Sequence, residues 1–333
     1  MAPSAHPAPV PPSDHPVAPW WALPAAMLGG LLGALQARIN SHLATDIHDG
    51  FTAAAISFGS GLVIVIVVVL SSRARRRAAG AFWRDLRTGA FPWPLALGGL
   101  GGATFVLGQG LSVPLIGVAL FIVCVVAGQT ITGLVVDRLG LGPGRPRRLS
   151  APRLLGSALM VASVVLAMSQ DVGGDAPVVL LTLPVVAGVA VGIQQAVNGR
   201  VSAHTGAPMV ATLTNFVVGT TVLVAAAIVH ALVVGHGPGR LPLDPLLYLG
   251  GAIGVGFIAL AAHLAHPLGV LTLAMATIAG QIVGSVLLDA LAPVGGSVLT
   301  GPTLLGALLT LVAAVITAEA VPRRRARGQD VAP

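Results

Sequence analysis

The sequence predicts an all-α integral membrane protein with ten transmembrane helices arranged as two inverted five-helix repeats. Composition, an internal duplication and the placement of arginine each point there. Hydrophobic residues make up 55% of the 333 positions, charged residues 9%, and the mean hydropathy is +0.91. Soluble chains average about 25% charged residues, so this chain lacks the polar side chains to cover a water-facing surface. Its long apolar runs, such as 61–70 and 113–136, fit helices. A membrane barrel would alternate polar and apolar residues instead.

The duplication is visible residue by residue. Gln36, Asn40, Phe58 and Gly61 recur as Gln194, Asn198, Phe216 and Gly219, all at an offset of 158. Gly98, Gly102, Gly117, Gly128, Gln129 and Asp137 recur as Gly250, Gly254, Gly269, Gly280, Gln281 and Asp289, at an offset of 152. Pro152, Leu154, Leu155 and Gly156 return as Pro302, Leu304, Leu305 and Gly306, at 150. The offset shrinks only across loops, as a duplicated unit of five hydrophobic segments requires.

Each element follows from length and punctuation. Residues 1–19 are rich in Pro, Ala, Ser and His and lack the basic and apolar regions of a signal peptide, so they read as a disordered tail. Trp20 and Trp21 mark an interfacial anchor at the first span. A span needs about 20 apolar residues. The first repeat, 20–170, holds spans at 20–40, 51–71, 92–112, 114–136 and 153–170. A short extracytoplasmic linker, 171–177, leads to the second repeat, 178–321, with spans at 178–198, 208–234, 245–264, 268–290 and 302–321. Pro92, Pro114, Pro152, Pro208, Pro245 and Pro302 fall at or near proposed starts, where proline is tolerated. Residues 322–333 form a basic cytoplasmic tail.

Arginine supplies an independent test, because all 18 basic residues are Arg. With both termini and the even-to-odd loops on one side, that side collects six in 73–87, five in 138–153, Arg200 and four in 323–327. Only Arg38 and Arg240 fall opposite. The positive-inside rule then makes both termini cytoplasmic. A repeat of five spans must insert with opposite orientation in its second copy, which makes the repeat inverted. The Lys-free, Ala/Gly/Val-heavy composition fits a GC-rich bacterial genome, hence a multi-pass protein of the bacterial inner membrane.

The net charge of +7 and the isoelectric point near 11.5 do not imply a nucleic-acid partner. The arginines sit at helix ends, away from any aromatic-bearing domain. Cys124 lies inside an apolar run and reads as a packing residue.

Chemistry rests on amides. No catalytic constellation, cofactor motif or zinc-type spacing is visible, and His263 with His266 at i, i+3 is weak evidence for a metal. Gln36 and Asn40 share one helix face four residues apart, as do Gln194 and Asn198. Buried amides need partners, so these four either lock helix packing or line a wet cavity. Gln129 and Gln281 stand in mid-span, too far from either interface to snorkel. Thr130, Thr132 and Ser285 extend that polar strip; Gln109 and Asn215 are similar but lack amide counterparts, facing Ala261 and Ser57. Asp137 and Asp289 end their helices and read as capping or solvated groups in preference to proton carriers. Arg38 and Arg200 are not equivalent in the repeat, and either is long enough to snorkel to a headgroup. Gly98-x-x-x-Gly102 and Gly250-x-x-x-Gly254 form small-residue faces for close helix contact.

The Q-x-x-x-N ending of the first helix, followed by Ile56–Ser57–Phe58 and Gly61, returns as Gln194, Asn198, Thr214–Asn215–Phe216 and Gly219. Together with Gly128–Gln129 and Gly280–Gln281, this pattern resembles the YdcZ-like family of bacterial membrane proteins. That family lies within the drug/metabolite transporter superfamily, alongside EamA-type permeases. The resemblance covers 22–321 and looks like two five-span units fused. It implies small-molecule transport with export as the expected direction, and fixes no substrate.

The expectation is therefore a secondary-active or facilitative transporter working by alternating access. Gln36, Asn40, Gln129, Gln194, Asn198 and Gln281 would line its substrate site. Its partners are a small-molecule substrate and the lipid bilayer, with a second copy of the chain as a further candidate. The rival reading is a non-transporting scaffold or lipid-handling protein. A membrane enzyme would need titratable groups converging at one depth, and none is visible.

Overall fold

In the computed structural model the described residues are 19–141, 150–167, 169, 178–293 and 299–319. The linker 171–177 and the basic tail 322–333 lie outside them, as does all but the last residue of the N-terminal tail. Regular structure among the described residues is entirely helical: α1 (Ala22–Asp46), α2 (Gly50–Leu70), α3 (Arg73–Thr88), α4 (Gly99–Leu111), α5 (Val113–Leu139), α6 (Ala151–Ala167), α7 (Val178–Thr205), α8 (Pro208–Val234), α9 (Gly250–Leu291) and α10 (Gly301–Glu319). Single 3-10 turns at Trp93–Ala96 and Pro245–Tyr248 lead into α4 and α9. Five stretches are long and apolar enough to cross a membrane: α1, α2, α5, α8 and Leu273–Leu291 of α9.

Local chemistry sets the boundaries. The Asp49 carboxylate accepts from the Phe51 and Thr52 amides and caps α2, which stops α1 and α2 from fusing. Pro208 opens α8, and Gly235, at φ 82°, closes it in the left-handed conformation glycine favours.

Two elements differ from the sequence expectation. Residues 73–88, expected as part of a connection, form the amphipathic helix α3. It buries Ala79 and Phe82, three residues apart, and turns its arginines outward. A search for long apolar runs passes over such a helix. The spans expected at 245–264 and 268–290 follow one another without an intervening loop in α9. The run nevertheless folds back. A Cβ on Gly29 would touch Phe257 and Leu260, while one on Gly30 would meet Thr277 and Gln281. Phe257 and Thr277 would stand about 30 Å apart on a straight helix, so α9 is a hairpin with both arms along α1. Its bend lies near the start of α1, where Ala22 and Ala26 pack with Leu264 and Ala276.

The same arrangement occurs around α7. A Cβ on Gly101 would meet Ala190, one on Gly108 would reach Leu183 at 3.8 Å, and Gly128 and Gly188 abut across α5 and α7. Helices α4 and α5 therefore run along α7 as the two arms of α9 run along α1. Gly117 breaks α5 with φ 79° and ψ 169°, a conformation open to glycine. Its duplicate, Gly269, falls in the segment where α9 reverses.

Contacts recur at equivalent positions. A Cβ on Gly280 would strike the Met27 carbonyl, and one on Gly128 the Val185 carbonyl; Met27 and Val185 are themselves equivalent in the repeat. Phe58 of α2 and Phe216 of α8 lie 5.1 Å apart, Phe216 covering Gly61 and Phe58 covering Gly219. The sixth and tenth helices also pair, through a 2.9 Å bond from the Thr310 hydroxyl to Ser163.

Candidate functional site

Five of the six amides, all but Gln129, sit where helices of one half cross those of the other. Gln36 and Asn40 point from α1 at the first arm of α9. A Cβ on Gly254 would stand 2.8 Å from Gln36 Nε2, and Gly250 leaves the room that Asn40 Oδ1 and Ser57 Oγ occupy. The second half repeats the motif: Gln194 Nε2 lies 3.2 Å from the Cβ position of Gly102, and Asn198 Oδ1 3.1 Å from that of Gly98. The glycine faces of α4 and α9 are thus seats for the amides of α7 and α1. Gln281 lies beside Gly33 of α1, with its Nε2 3.2 Å from the Cβ position there. Gln129 is half-buried on α5.

Two hydrogen bonds close this polar layer. Asn40 donates to Gln109 Oε1 at 2.6 Å, and Asn215 donates to Asn198 Oδ1 at 2.9 Å. Gln109 and Asn215 therefore belong to the site, although neither recurs as an amide in the repeat. Each was legible only as a polar residue inside an apolar run. Asn40 and Gln109 are 1% and 0% exposed, whereas the Asn198–Asn215 pair is only partly buried. The buried pair is incompletely satisfied. Asn40 Oδ1, Gln109 Nε2, Ser41 Oγ and Ser57 Oγ have no hydrogen-bond partner among the described residues. A buried polar atom left unpaired costs about 1–3 kcal/mol. Here acceptors, donors and hydroxyls together provide complementary groups for a polar solute or water.

Charged residues brace the layer from outside. Asp289, near the end of α9, accepts from the Val118 and Ala119 amides at 3.0 and 2.7 Å. It caps the segment of α5 that restarts after the Gly117 break, so its capping role is served across the halves and not on its own helix. Arg38 donates to the Pro293 carbonyl at 3.4 Å, just past the end of α9, and lies within electrostatic reach of Asp289. Arg200 donates to the Gly140 carbonyl at 3.2 Å, just past the end of α5. One arginine from each half thus secures the end of a helix in the other, from positions four residues out of register.

No group of three or more metal-ligating side chains occurs among the described residues. The His263 ring stacks with Trp21 at 6.5 Å, while the side chain of His266 lies outside the described residues. Two surface hollows of about 280 and 350 Å³ are lined by the end of α5 and by α3 with α8, and no amide of the site lines either.

The apolar bundle and its buried amide layer define a polytopic helical membrane protein. Comparison with known families sharpens that class. The family model described as "Putative inner membrane exporter, YdcZ" matches residues 20–166 and again residues 179–316. The chain belongs to this YdcZ family and carries two of its units in tandem. It is thus a multi-pass inner-membrane protein of an exporter family, a non-enzymatic role. No curated protein matches the chain.

Proposed function

We propose that the protein is a ten-span exporter of a small neutral or zwitterionic solute, built from two inverted five-helix repeats with both termini cytoplasmic. The carrying observation is the buried amide layer between the halves: unpaired Asn40 Oδ1 and Ser57 Oγ lie at Gly250 of α9, and Gln109 Nε2 and Ser41 Oγ are unpaired as well. Amides both donate and accept without fixed charge, which suits such a solute. Gln36, Asn40, Gln129, Gln194, Asn198 and Gln281 are its proposed binding residues, joined by Gln109 and Asn215.

The inverted repeat is supported by contacts made twice at equivalent positions, and by Phe58 and Phe216 touching one another. Equivalent residues that touch lie beside the axis relating them. That axis would pass between α2 and α8, near the bilayer midplane, where transporters of this build hold substrate. The scaffold reading draws on the two amide–amide bonds, which satisfy part of the layer without a solute.

Reconstituted vesicles loaded with a panel of metabolites distinguish the two. Export that falls at least tenfold in Asn40→Ala and Gln281→Ala, with folding intact, supports the transporter. If no solute moves, or if both variants match the parent, the site assignment fails. Cysteine placed at Arg77 in a Cys124→Ser background should react with a membrane-impermeant maleimide only from the cytoplasmic side; labelling from outside overturns the orientation.

A further inference from the structure

The amphipathic helix α3 has a role in none of the above. Its position is held on two sides. Arg75 and Arg76 donate to the Val68 and Leu70 carbonyls at the end of α2, at 2.9 and 2.8 Å. Asp85 pairs with His204 at the end of α7, at 2.8 Å, and Phe91 packs on the same imidazole, with centroids 4.9 Å apart. Phe82 is fully buried beneath the helix. The orientation of α3 is therefore set by contacts, and so is the face it turns outward.

That face is basic and aromatic together. Arg73, Arg77, Arg84 and Arg87 have no hydrogen-bond or ion-pair partner among the described residues. Trp83 is 38% exposed, and Trp93, on the turn that follows, is 67% exposed. Between them lies the hollow of about 350 Å³. Trp83, Leu86 and Arg87 of α3, Trp93, and Thr214 and Val218 of α8 line it. Its walls are almost wholly apolar, and its charge comes from Arg87. A dissolved anion would gain one arginine and face an apolar wall. An amphiphile with an anionic head and an alkyl tail would satisfy both parts.

We infer that this hollow binds an anionic phospholipid of the leaflet that α3 lies against, its phosphate at Arg87 and its acyl chain between Trp83, Trp93 and α8. Tryptophan rings favour the headgroup level of a bilayer. An arginine near an anionic surface contributes about 1 kcal/mol, roughly a fivefold preference. The lipid site rests on the membrane placement of the chain and not on the transport reading, so it stands or falls independently of export.

The test uses the full chain in phosphatidylcholine vesicles containing either brominated phosphatidylglycerol or brominated phosphatidylcholine at equal mole fraction. Tryptophan quenching reports lipid next to the rings. The expected result is stronger quenching by the anionic lipid, with a relative affinity that falls about fivefold in Arg87→Gln, stays within twofold in Arg87→Lys, and is unchanged in Arg240→Gln. In a Trp83→Phe, Trp93→Phe variant the anionic excess should vanish while Trp20 and Trp21 still report the bilayer. Equal quenching by the two lipids overturns the inference. So does a parental ratio in Arg87→Gln, an equal loss in Arg240→Gln, or abolition of the excess by inorganic phosphate, which would indicate a site for a free anion.

Discussion

Replacing glycine by alanine at matched positions tests whether the two halves are held by the same contact made twice. At Gly128 and Gly280 a Cβ would collide with backbone, the Val185 carbonyl in one case and the Met27 carbonyl in the other. Backbone cannot rotate away as a side chain can, so the helices must separate. Overpacking of this kind costs about 1–3 kcal/mol. At Gly59 and Gly133, also inside helices, nothing lies within 4 Å of the new methyl group. There the substitution should be neutral or stabilising by up to about 1 kcal/mol, since alanine loses less backbone entropy in a helix. The two classes should thus differ by about 2 kcal/mol in unfolding from mixed micelles. Gly128→Ala and Gly280→Ala should cost similar amounts, because each is the other's duplicate. The double variant should be additive, because the two contacts share no residue. Equal losses at Gly133 and Gly128 would refute the packing argument. A large loss at one of Gly128 and Gly280 without the other would refute the equivalence of the halves.

Two further substitutions probe the polar layer. Asn40→Ala leaves Gln109 buried without its donor and should destabilise by about 1–3 kcal/mol. A double-mutant cycle with Gln109→Ala should give a coupling of about 0.6 kcal/mol, the average for such bonds in membranes, and a coupling of zero would show that the bond does not form. Asp289→Ala removes the cap on the restarted α5 and should cost about 1–2 kcal/mol, with Asp289→Asn recovering part. Faster hydrogen exchange at the Val118 and Ala119 amides is the readout, and unchanged exchange there would exclude the cap.

What the sequence made legible is what the fold uses twice. Gln36 with Gly254 and Gln194 with Gly102 are one contact repeated, so duplication preserved both partners at fixed offsets and exposed the pattern. The roles of Gln109 and Asp289 escaped for two different reasons. Gln109 serves only Asn40, and its counterpart is Ala261, so a criterion of recurrence discards it. Asp289 does recur, yet nothing local says that it caps a helix 170 residues upstream. Arg38 and Arg200 perform matching work from unmatched positions, since a long guanidinium side chain reaches a carbonyl from either of two helical turns. Helix α3 was hidden because its information lies in the spacing of Ala79 and Phe82 and not in total hydropathy. The fold-back of α9 was legible as two expected spans separated by Pro267, while the lack of a loop between them was not.

The packing also bears on which bodies would move if access alternates. Rocking one repeat against the other assumes that each repeat is a rigid unit. Here α1 lies along both arms of α9, and α7 lies along α4 and α5, so each first helix is seated in the opposite half. The natural units are then α1 with α9, and α7 with α4 and α5. Two cysteine pairs separate these alternatives. A Cβ on Gly284 would lie 3.4 Å from the Ala34 Cβ, joining α1 to α9 across the sequence halves. A Cβ on Gly110 would lie 3.4 Å from the Ala44 Cβ, joining α1 to α4 within the first half. Both separations are near the short end of disulfide geometry, about 3.5–4.5 Å between Cβ atoms. In a Cys124→Ser background, oxidised Ala44→Cys, Gly110→Cys should stop export of whichever solute the vesicle panel identifies, and reduction should restore it. Oxidised Ala34→Cys, Gly284→Cys should leave export within about twofold if α1 and α9 move as one unit. Rigid sequence halves require the reverse: the bridge inside the first half would be harmless and the one between halves would block.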